Sequence, residues 1–191
     1  MMSKAFFTFQ LQHIGLFYVC VILALVVEIY VFCCAGGRKS PQNVICTIIF
    51  TLCESYVVSF IASVTGETSG NSIVFLAAFL TLVITIACTA YAVFTKEDYT
   101  TSSALIVVIA VAMLAIFVVL LFTNSPFLHT VYCGLGVILF GIYLVIDTQM
   151  IVGGKTIELE IDEYYLGALL LYIDIIMIFL YLLQIFGGNR D

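Results

Sequence analysis

Six apolar runs, each close to the length of one membrane crossing, limit what this chain can fold into. A helix that spans a bilayer needs about 20 mostly apolar residues, so each run is long enough to cross once. The runs are Ile14–Cys34, Val44–Ser63, Ile73–Phe94, Ala104–Thr123, Phe127–Ile151 and Tyr165–Phe186. We therefore predict an all-α fold, a polytopic transmembrane helix bundle with six spans, as a single domain over residues 1–191.

The composition excludes an ordinary soluble domain. Hydrophobic residues make up 64% of the 191 residues and charged residues only 9%, whereas soluble domains average roughly 45–50% and 25%. The mean hydropathy of +1.25 points the same way. No basic run of the kind that binds nucleic acid is present. The expected environment is a lipid bilayer.

The connections between the runs are short, so consecutive helices are predicted to be antiparallel neighbours in one bundle. Lys and Arg are weakly enriched in the first, third and fifth connections, which predicts that these three loops are cytosolic. The basic residues on that side are Arg38, Lys39, Lys96 and Lys155, against Lys4 and Arg190 on the other. Whether the last helix crosses fully or dips in and returns stays open at this point.

The seven cysteines show no spacing typical of a metal site. Most of them lie within apolar runs, where a reduced thiol packs as a small hydrophobic group. Cys33 and Cys34 end the first run beside a basic loop. Two interpretations stay open for them: palmitoylation, or, as we favour, helix-end thiols with no further role.

Four acids lie inside the apolar runs, and no Lys or Arg does: Glu28, Glu54, Asp147 and Asp174. A charged acid near the bilayer centre costs about 2.5–3.5 kcal/mol on insertion scales. Because no cationic side chain offsets that cost, these acids must be protonated, share a proton, bind a metal cation or face water.

Asp174 lies near the middle of the last run, on a polar stripe with Gly167, Tyr181 and Gln184. Such a stripe turns toward the bundle interior. Asp147 lies near the end of the preceding run, one turn after Tyr143. On consecutive antiparallel helices the two acids can meet, and two close carboxylates do not both ionise readily. The expected behaviour is that of a proton-controlled latch.

Glu54 lies beside a row of hydroxyls at i, i+4 spacing. The row comprises Thr47, Thr51, Ser55 and Ser59. Two interpretations stay open: the hydroxyls line a wet cavity or cation path, or they bond carbonyls of their own helix. Glu54 itself is a functional candidate because it is an intramembrane acid. Glu28 lies closer to a loop and is given a minor role.

Four segments carry a resemblance to a known family: "FTLCESYVVSFIAS", "FTKEDYT", "VYCGLGVILFGIYLVIDTQMIVGG" and "DEYYLGALLLYIDIIMIFLYLLQIFG". Together they resemble the Bax inhibitor family, specifically its lifeguard branch, over nearly the whole chain. The resemblance implies a helical protein of the endoplasmic reticulum, Golgi or plasma membrane. Family members are associated with suppressing cell death and lowering store calcium, and a bacterial relative is described as a pH-sensitive calcium leak.

By motif, Asp147 and Asp174 occupy the positions of the family's acid dyad, which implies a pH sensor, a gate and a calcium contact. Glu54 matches an acid found in some lifeguard members. The family usually has seven helices. The first helix of this chain looks like the family's second, so the family's first helix is expected to be absent.

Three hypotheses follow. The first is a proton-gated calcium leak, with Asp147 and Asp174 as gate and no cofactor besides the permeant calcium. Its cation path is taken to include Glu54, Thr51, Ser55 and Tyr181. The second is a non-conducting protein that acts through cell-death regulators. The third, an intramembrane aspartyl protease, is disfavoured because the second acid lies in "LYID" rather than in Gly-x-Gly-Asp, so we expect no enzyme.

Overall fold

The computed structural model describes residues 4–33, 41–101 and 103–188. Side chains are described from residue 6 onward, in the helix after residue 102 from residue 106 onward, and not at residue 161. All regular structure in these ranges is helical. The helices are α1 (Lys4–Gln12), α2 (Ile14–Cys33), α3 (Gln42–Thr68), α4 (Asn71–Phe94), α5 (Ser103–Leu120), α6 (Pro126–Val152) and α7 (Tyr164–Gly187). A short 3₁₀ turn, Ile161–Glu163, leads into α7. The predicted all-α class is confirmed.

Five of the six predicted spans are helices long and apolar enough to cross a membrane. These are α2, α3, α4, α6 and α7. The predicted span Ala104–Thr123 corresponds to α5. The part of α5 with described side chains, Ile106–Leu120, is apolar but shorter than the other five spans. The helix ends at Leu120 because the chain turns there toward "TNSP". The protein is therefore a multi-pass membrane protein.

The helices form two compact units, Met1–Thr68 and Ser69–Asp191; the single domain over residues 1–191 stays a prediction. In the first unit, α2 packs along α3, and the short helix α1, which the sequence pattern did not predict, contacts both. Helix α3 runs five residues past the predicted end at Ser63. Its last turns keep their helical bonds, and the Thr65 hydroxyl donates to the Ile61 carbonyl at 3.1 Å.

In the second unit, α6 and α7 form the most extensive helix pair, α4 packs against both, and α5 packs against α6. Leu144 on α6 and Leu169 and Ile178 on α7 are at most 1% exposed, so the core of this unit lies along the α6–α7 seam. At the far end of α7, the Ser69 hydroxyl donates to the Gly187 carbonyl at 2.8 Å and ties the start of α4 to it. This seam carries both predicted dyad residues.

Local signals explain where α6 begins and ends. Ser125 caps its first turn, accepting from the Leu128 amide at 3.4 Å, and Pro126 supplies a first residue that needs no amide partner. At the other end, Gly153 and Gly154 have φ of +77° and +75°, which residues with a Cβ rarely adopt. The two glycines turn the chain sharply at this end of the helix.

The surface of the spans is apolar, as a lipid-facing bundle requires. Large side chains such as Phe75, Leu52 and Phe79 are more than half exposed. The six cysteines within the described ranges form no disulfide, as the sequence predicted. Cys34, Arg38, Lys39 and Arg190 lie outside the described residues, so the loop orientation and palmitoylation stay predictions.

Candidate functional site: a buried acid pair on two adjacent helices

Asp147 on α6 and Asp174 on α7 lie together inside the second unit. Their side chains are 5% and 3% exposed, and the two carboxyl groups lie within hydrogen-bonding range of each other. A carboxylate can only accept, so a hydrogen bond between two carboxyl groups requires that one of them carry a proton. The structure thus brings together the two acids that the antiparallel arrangement predicted, close enough to share one proton.

Two further features of the pair bear on what it can bind. The Oδ2 atom of Asp174 is buried and has no hydrogen-bond partner among the described residues. The Tyr143 hydroxyl lies close enough to interact electrostatically with both acids. A buried polar atom without a partner is uncommon in proteins. This oxygen is therefore free to take a proton, a water molecule or a cation.

The pair is not a preformed metal centre of protein ligands alone. Within residues 4–33, 41–101 and 103–188, no group of three or more His, Cys, Asp and Glu side chains is placed to hold a metal ion. Calcium takes six to eight oxygen ligands. A cation at the pair would therefore keep much of its water.

Gln149, two residues after Asp147, fastens the end of α6 to the α4–α5 connection. Its side chain is 1% exposed. The amide nitrogen donates to the Glu97 carbonyl at 2.9 Å, and the amide oxygen accepts from the Tyr99 backbone nitrogen at 2.9 Å. Both ends of one buried side chain are thus used to hold a loop that lies about 50 residues away in sequence.

Asp98 and Lys155 complete this contact. One Asp98 oxygen accepts from the Thr100 hydroxyl at 2.6 Å, and the other accepts from the Thr156 hydroxyl at 2.6 Å and its backbone nitrogen at 2.9 Å. These bonds hold the pKa of Asp98 well below its usual range. The Lys155 ammonium donates to three consecutive carbonyls, of residues 95–97, at 2.8–3.3 Å. We call the whole contact, residues 95–100 with Gln149 and residues 155–157, the loop clamp.

The loop clamp was missed by sequence reasoning. Residues 95–100 and Gln149 were quoted as parts of the resembling segments "FTKEDYT" and "DTQMIVGG", and Lys96 and Lys155 were counted as basic loop residues, but nothing in a single sequence pairs two distant loops. Asp98 and Lys155 looked like ordinary loop charges. The one available signal was that these loops contain polar residues flanked by hydroxyl-bearing residues. This pattern does not indicate which two loops are in contact.

Tyr181, predicted to line a cation path, is 7% exposed and lies in a hydrophobic cluster with Cys133, Leu139 and Met113. Gln184, from the same stripe, accepts a weak hydrogen bond from the Cys133 thiol at 3.8 Å. Gly167, Asp174 and Tyr181 of the stripe are therefore buried in the bundle, as predicted, whereas Gln184 is exposed. Whether the stripe carries ions stays a prediction.

Glu54, Thr51 and Ser55 lie on α3 in the first unit. Glu54 and Thr51 are half-buried and Ser55 is exposed. Glu28 on α2 is close enough to Glu54 for an electrostatic interaction. The acid that was given a minor role in the sequence analysis is therefore a neighbour of Glu54. For the hydroxyl row, Thr47 follows the local interpretation, since it donates to the Asn43 carbonyl at 2.8 Å.

Comparison with known proteins agrees with the resemblance. The family model described as "Inhibitor of apoptosis-promoting Bax1" matches residues 1–191. Protein lifeguard 3 of Mus musculus is 32% identical over 185 residues, which cover 94% of this chain and 58% of that protein. Protein lifeguard 3 of Homo sapiens is 30% identical over 187 residues, covering 95% and 59%.

A bacterial protein is also similar. The uncharacterized protein Cj0236c of Campylobacter jejuni is 29% identical over 149 residues, which cover 78% of this chain and 62% of that protein. The chain thus spans about three fifths of the length of the relatives it matches. On the match over its whole length, the chain belongs to the Bax inhibitor family, with lifeguard proteins among its relatives.

Proposed function

We propose that this protein is a pH-sensitive, calcium-permeable leak of an internal membrane, the endoplasmic reticulum or the Golgi, that lowers store calcium and suppresses cell death. The observation that carries the proposal is the Asp147–Asp174 pair, whose carboxyl groups lie within hydrogen-bonding range. It is supported by the absence of any Lys or Arg from the predicted spans. Protons and cations are then the species available to neutralise the two acids.

The pair acts as the gate. With one proton shared, the carboxyl groups hold α6 and α7 together through a hydrogen bond. When that proton leaves, two like charges face each other in a medium of low dielectric constant, and the contact becomes repulsive. Loss of the proton also creates the anionic oxygens that attract calcium. Calcium flux therefore rises as pH rises through the range in which the pair loses its proton.

The cation binds weakly and exchanges. Two carboxylates and the Tyr143 hydroxyl supply part of a calcium shell, and water supplies the rest. Such a site has few protein ligands, which suits passage rather than retention. Tyr181, in the same unit as the pair, is assigned to the path, and Glu54, Thr51 and Ser55 are separate ion-path candidates within the first unit; each is tested by its own substitution.

Calcium flux into liposomes that contain the purified protein tests the proposal. Wild type is measured from pH 5 to 8 beside Asp147→Asn and Asp174→Asn. Each Asn variant keeps a neutral hydrogen-bonding group next to the other acid, so we expect low flux with a flat pH response. Asp162→Asn, the same change at an exposed acid before α7, is the matched control and keeps the wild-type profile.

Each of three possible results would contradict a different part of the proposal. Equal flux and pH response in all four proteins would remove the gate role of the pair. No flux from folded wild type would remove the leak and favour the non-conducting protein that acts through cell-death regulators. Cleavage of a model membrane substrate, lost in either Asp variant, would instead revive the protease hypothesis.

A further inference from the structure

A polar recess opens at the end of the second unit opposite the loop clamp. It has a volume of about 350 Å³ and lies between the end of α5, the start of α6 and the end of α7. Six polar residues line it: Thr123, Asn124, Ser125, His129, Thr130 and Gln184. A cavity of this size and polarity holds several water molecules. Its inner wall is formed by residues that also lie on the α6–α7 seam.

The recess leads toward the acid pair but does not reach it. Gln184 at its wall and Asp174 lie ten residues apart on α7, which corresponds to about 15 Å along the helix. Cys133, which is fully buried, lies behind the recess, with its sulfur 3.9 Å from the His129 ring and 3.8 Å from the Gln184 oxygen. Tyr181 and Ile178, both buried, follow before Asp174.

The Tyr181 ring lies close against α6 because α6 has a glycine, Gly136, opposite it. A Cβ built on Gly136 would lie 2.6–2.7 Å from three ring carbons of Tyr181, closer than Cβ atoms approach other groups. The ring centroids of Tyr132 and Phe140 each lie 5.9 Å from the ring centroid of Tyr181. The tyrosine is therefore seated directly on the α6 backbone within an aromatic collar.

We propose that Tyr181, seated on Gly136, is the constriction that separates a hydrated vestibule, the recess, from the Asp147–Asp174 pair. The inference rests on the proposed leak function only for its role in calcium passage. The aromatic collar excludes water, and hence ions, while the Tyr181 ring is in place. Displacing the ring joins the vestibule to the pair.

Two substitutions displace the ring in different ways. Tyr181→Ala removes it, and Gly136→Ala forces it off its seat. Tyr181→Phe keeps the ring and removes only the hydroxyl. Gly134→Ala is the matched control for Gly136→Ala, because a Cβ at Gly134 meets no atom within 4 Å.

Labelling of a cysteine introduced by Ile178→Cys, at a buried position between Tyr181 and Asp174 on α7, by a membrane-impermeant thiol reagent reads the constriction without reference to calcium. In a background where all seven native cysteines are replaced, we expect the labelling rate of this cysteine to rise about tenfold or more when Tyr181→Ala or Gly136→Ala is added, since the thiol no longer depends on local opening to meet water. Adding Tyr181→Phe or Gly134→Ala leaves the labelling rate unchanged, and the cysteine-free background does not label at all. Gel filtration confirms that each variant is folded.

The outcomes separate this inference from the leak itself. If Gly136→Ala and Tyr181→Ala label no faster than Gly134→Ala, Tyr181 is not a constriction and the inference is wrong. If they label faster and also raise calcium flux, both the constriction and its place in the path are supported. If wild type conducts no calcium, the proposed function fails, and the labelling rates alone still decide the constriction.

Discussion

Replacing Gln149 with Leu should destabilise the protein strongly, although the change keeps the size of the side chain. The buried amide makes two hydrogen bonds of 2.9 Å to the α4–α5 connection. Each contributes about 0.5–1.5 kcal/mol net, and a donor left without a partner costs about 1–3 kcal/mol more. The Glu97 carbonyl keeps its bond from Lys155, so the group that is left unpaired is the Tyr99 amide. We expect a loss of about 2–4 kcal/mol.

Thermal unfolding in detergent measures this loss. For a chain of this length, 1 kcal/mol shifts Tm by about 2–4 °C, so Gln149→Leu should lower Tm by roughly 5–15 °C. Gln184→Leu is the matched control: the same substitution on an exposed glutamine whose oxygen accepts a weak thiol hydrogen bond should shift Tm little. Equal Tm values for wild type and Gln149→Leu would show that the loop clamp does not hold the fold, and would refute the reasoning.

Three further predictions concern the loop clamp and the α6–α7 seam. Asp98→Asn should lower Tm at pH 7, and the difference from wild type should shrink as pH falls below about 4, because a carboxyl with a depressed folded-state pKa stabilises only above its unfolded pKa; a difference unchanged from pH 7 to 3 would contradict this. Lys155→Met removes three ammonium–carbonyl bonds and should cost about 1–2 kcal/mol, measured by the same Tm assay; an unchanged Tm would count against it. Gly167→Val should cost about 1–3 kcal/mol by overpacking, since a Cβ there already meets an Ile151 carbon at 3.0 Å; a Tm equal to wild type would mean that the seam relaxes freely.

The parts of this structure that the sequence predicts are those set by local chemistry. Apolar runs predict six spans because the bilayer selects on hydropathy over about 20 residues, and five of them are helices long and apolar enough to cross; Ser125, Pro126 and the glycine pair at 153–154 explain the limits of α6. The meeting of Asp147 and Asp174 was predictable because short loops force consecutive helices to be antiparallel. Helix α1 was not, since its nine residues are too few for a periodic pattern.

Contacts that depend on register or on distant loops were beyond the sequence. Nothing in "CGLG" says that Gly136, rather than Gly134, meets Tyr181, because that choice depends on the rotation of α6 about its axis. Likewise, the sequence shows Gln149 only as a third polar residue after Asp147 and Thr148. Its role follows from the α4–α5 connection, to which it is hydrogen-bonded. Both contacts are tertiary, and they give a structural role to Gly136 and Gln149, which had no assigned role in the sequence analysis.

Helix α6 carries these parts in order along its length. The recess is at its start, Gly136 follows two to three turns later, Asp147 lies near its end, and Gln149 joins it to the loop clamp. The two ends therefore differ: one borders an open recess with polar lining, and the other is tied to a loop by the two hydrogen bonds of Gln149. In the proposed leak, opening of the acid pair is then expected at the recess end of α6, because the other end is held by the loop clamp. Variants of the loop clamp should then change Tm while folded protein keeps its pH response, whereas variants of the Gly136–Tyr181 contact should change both flux and Tm.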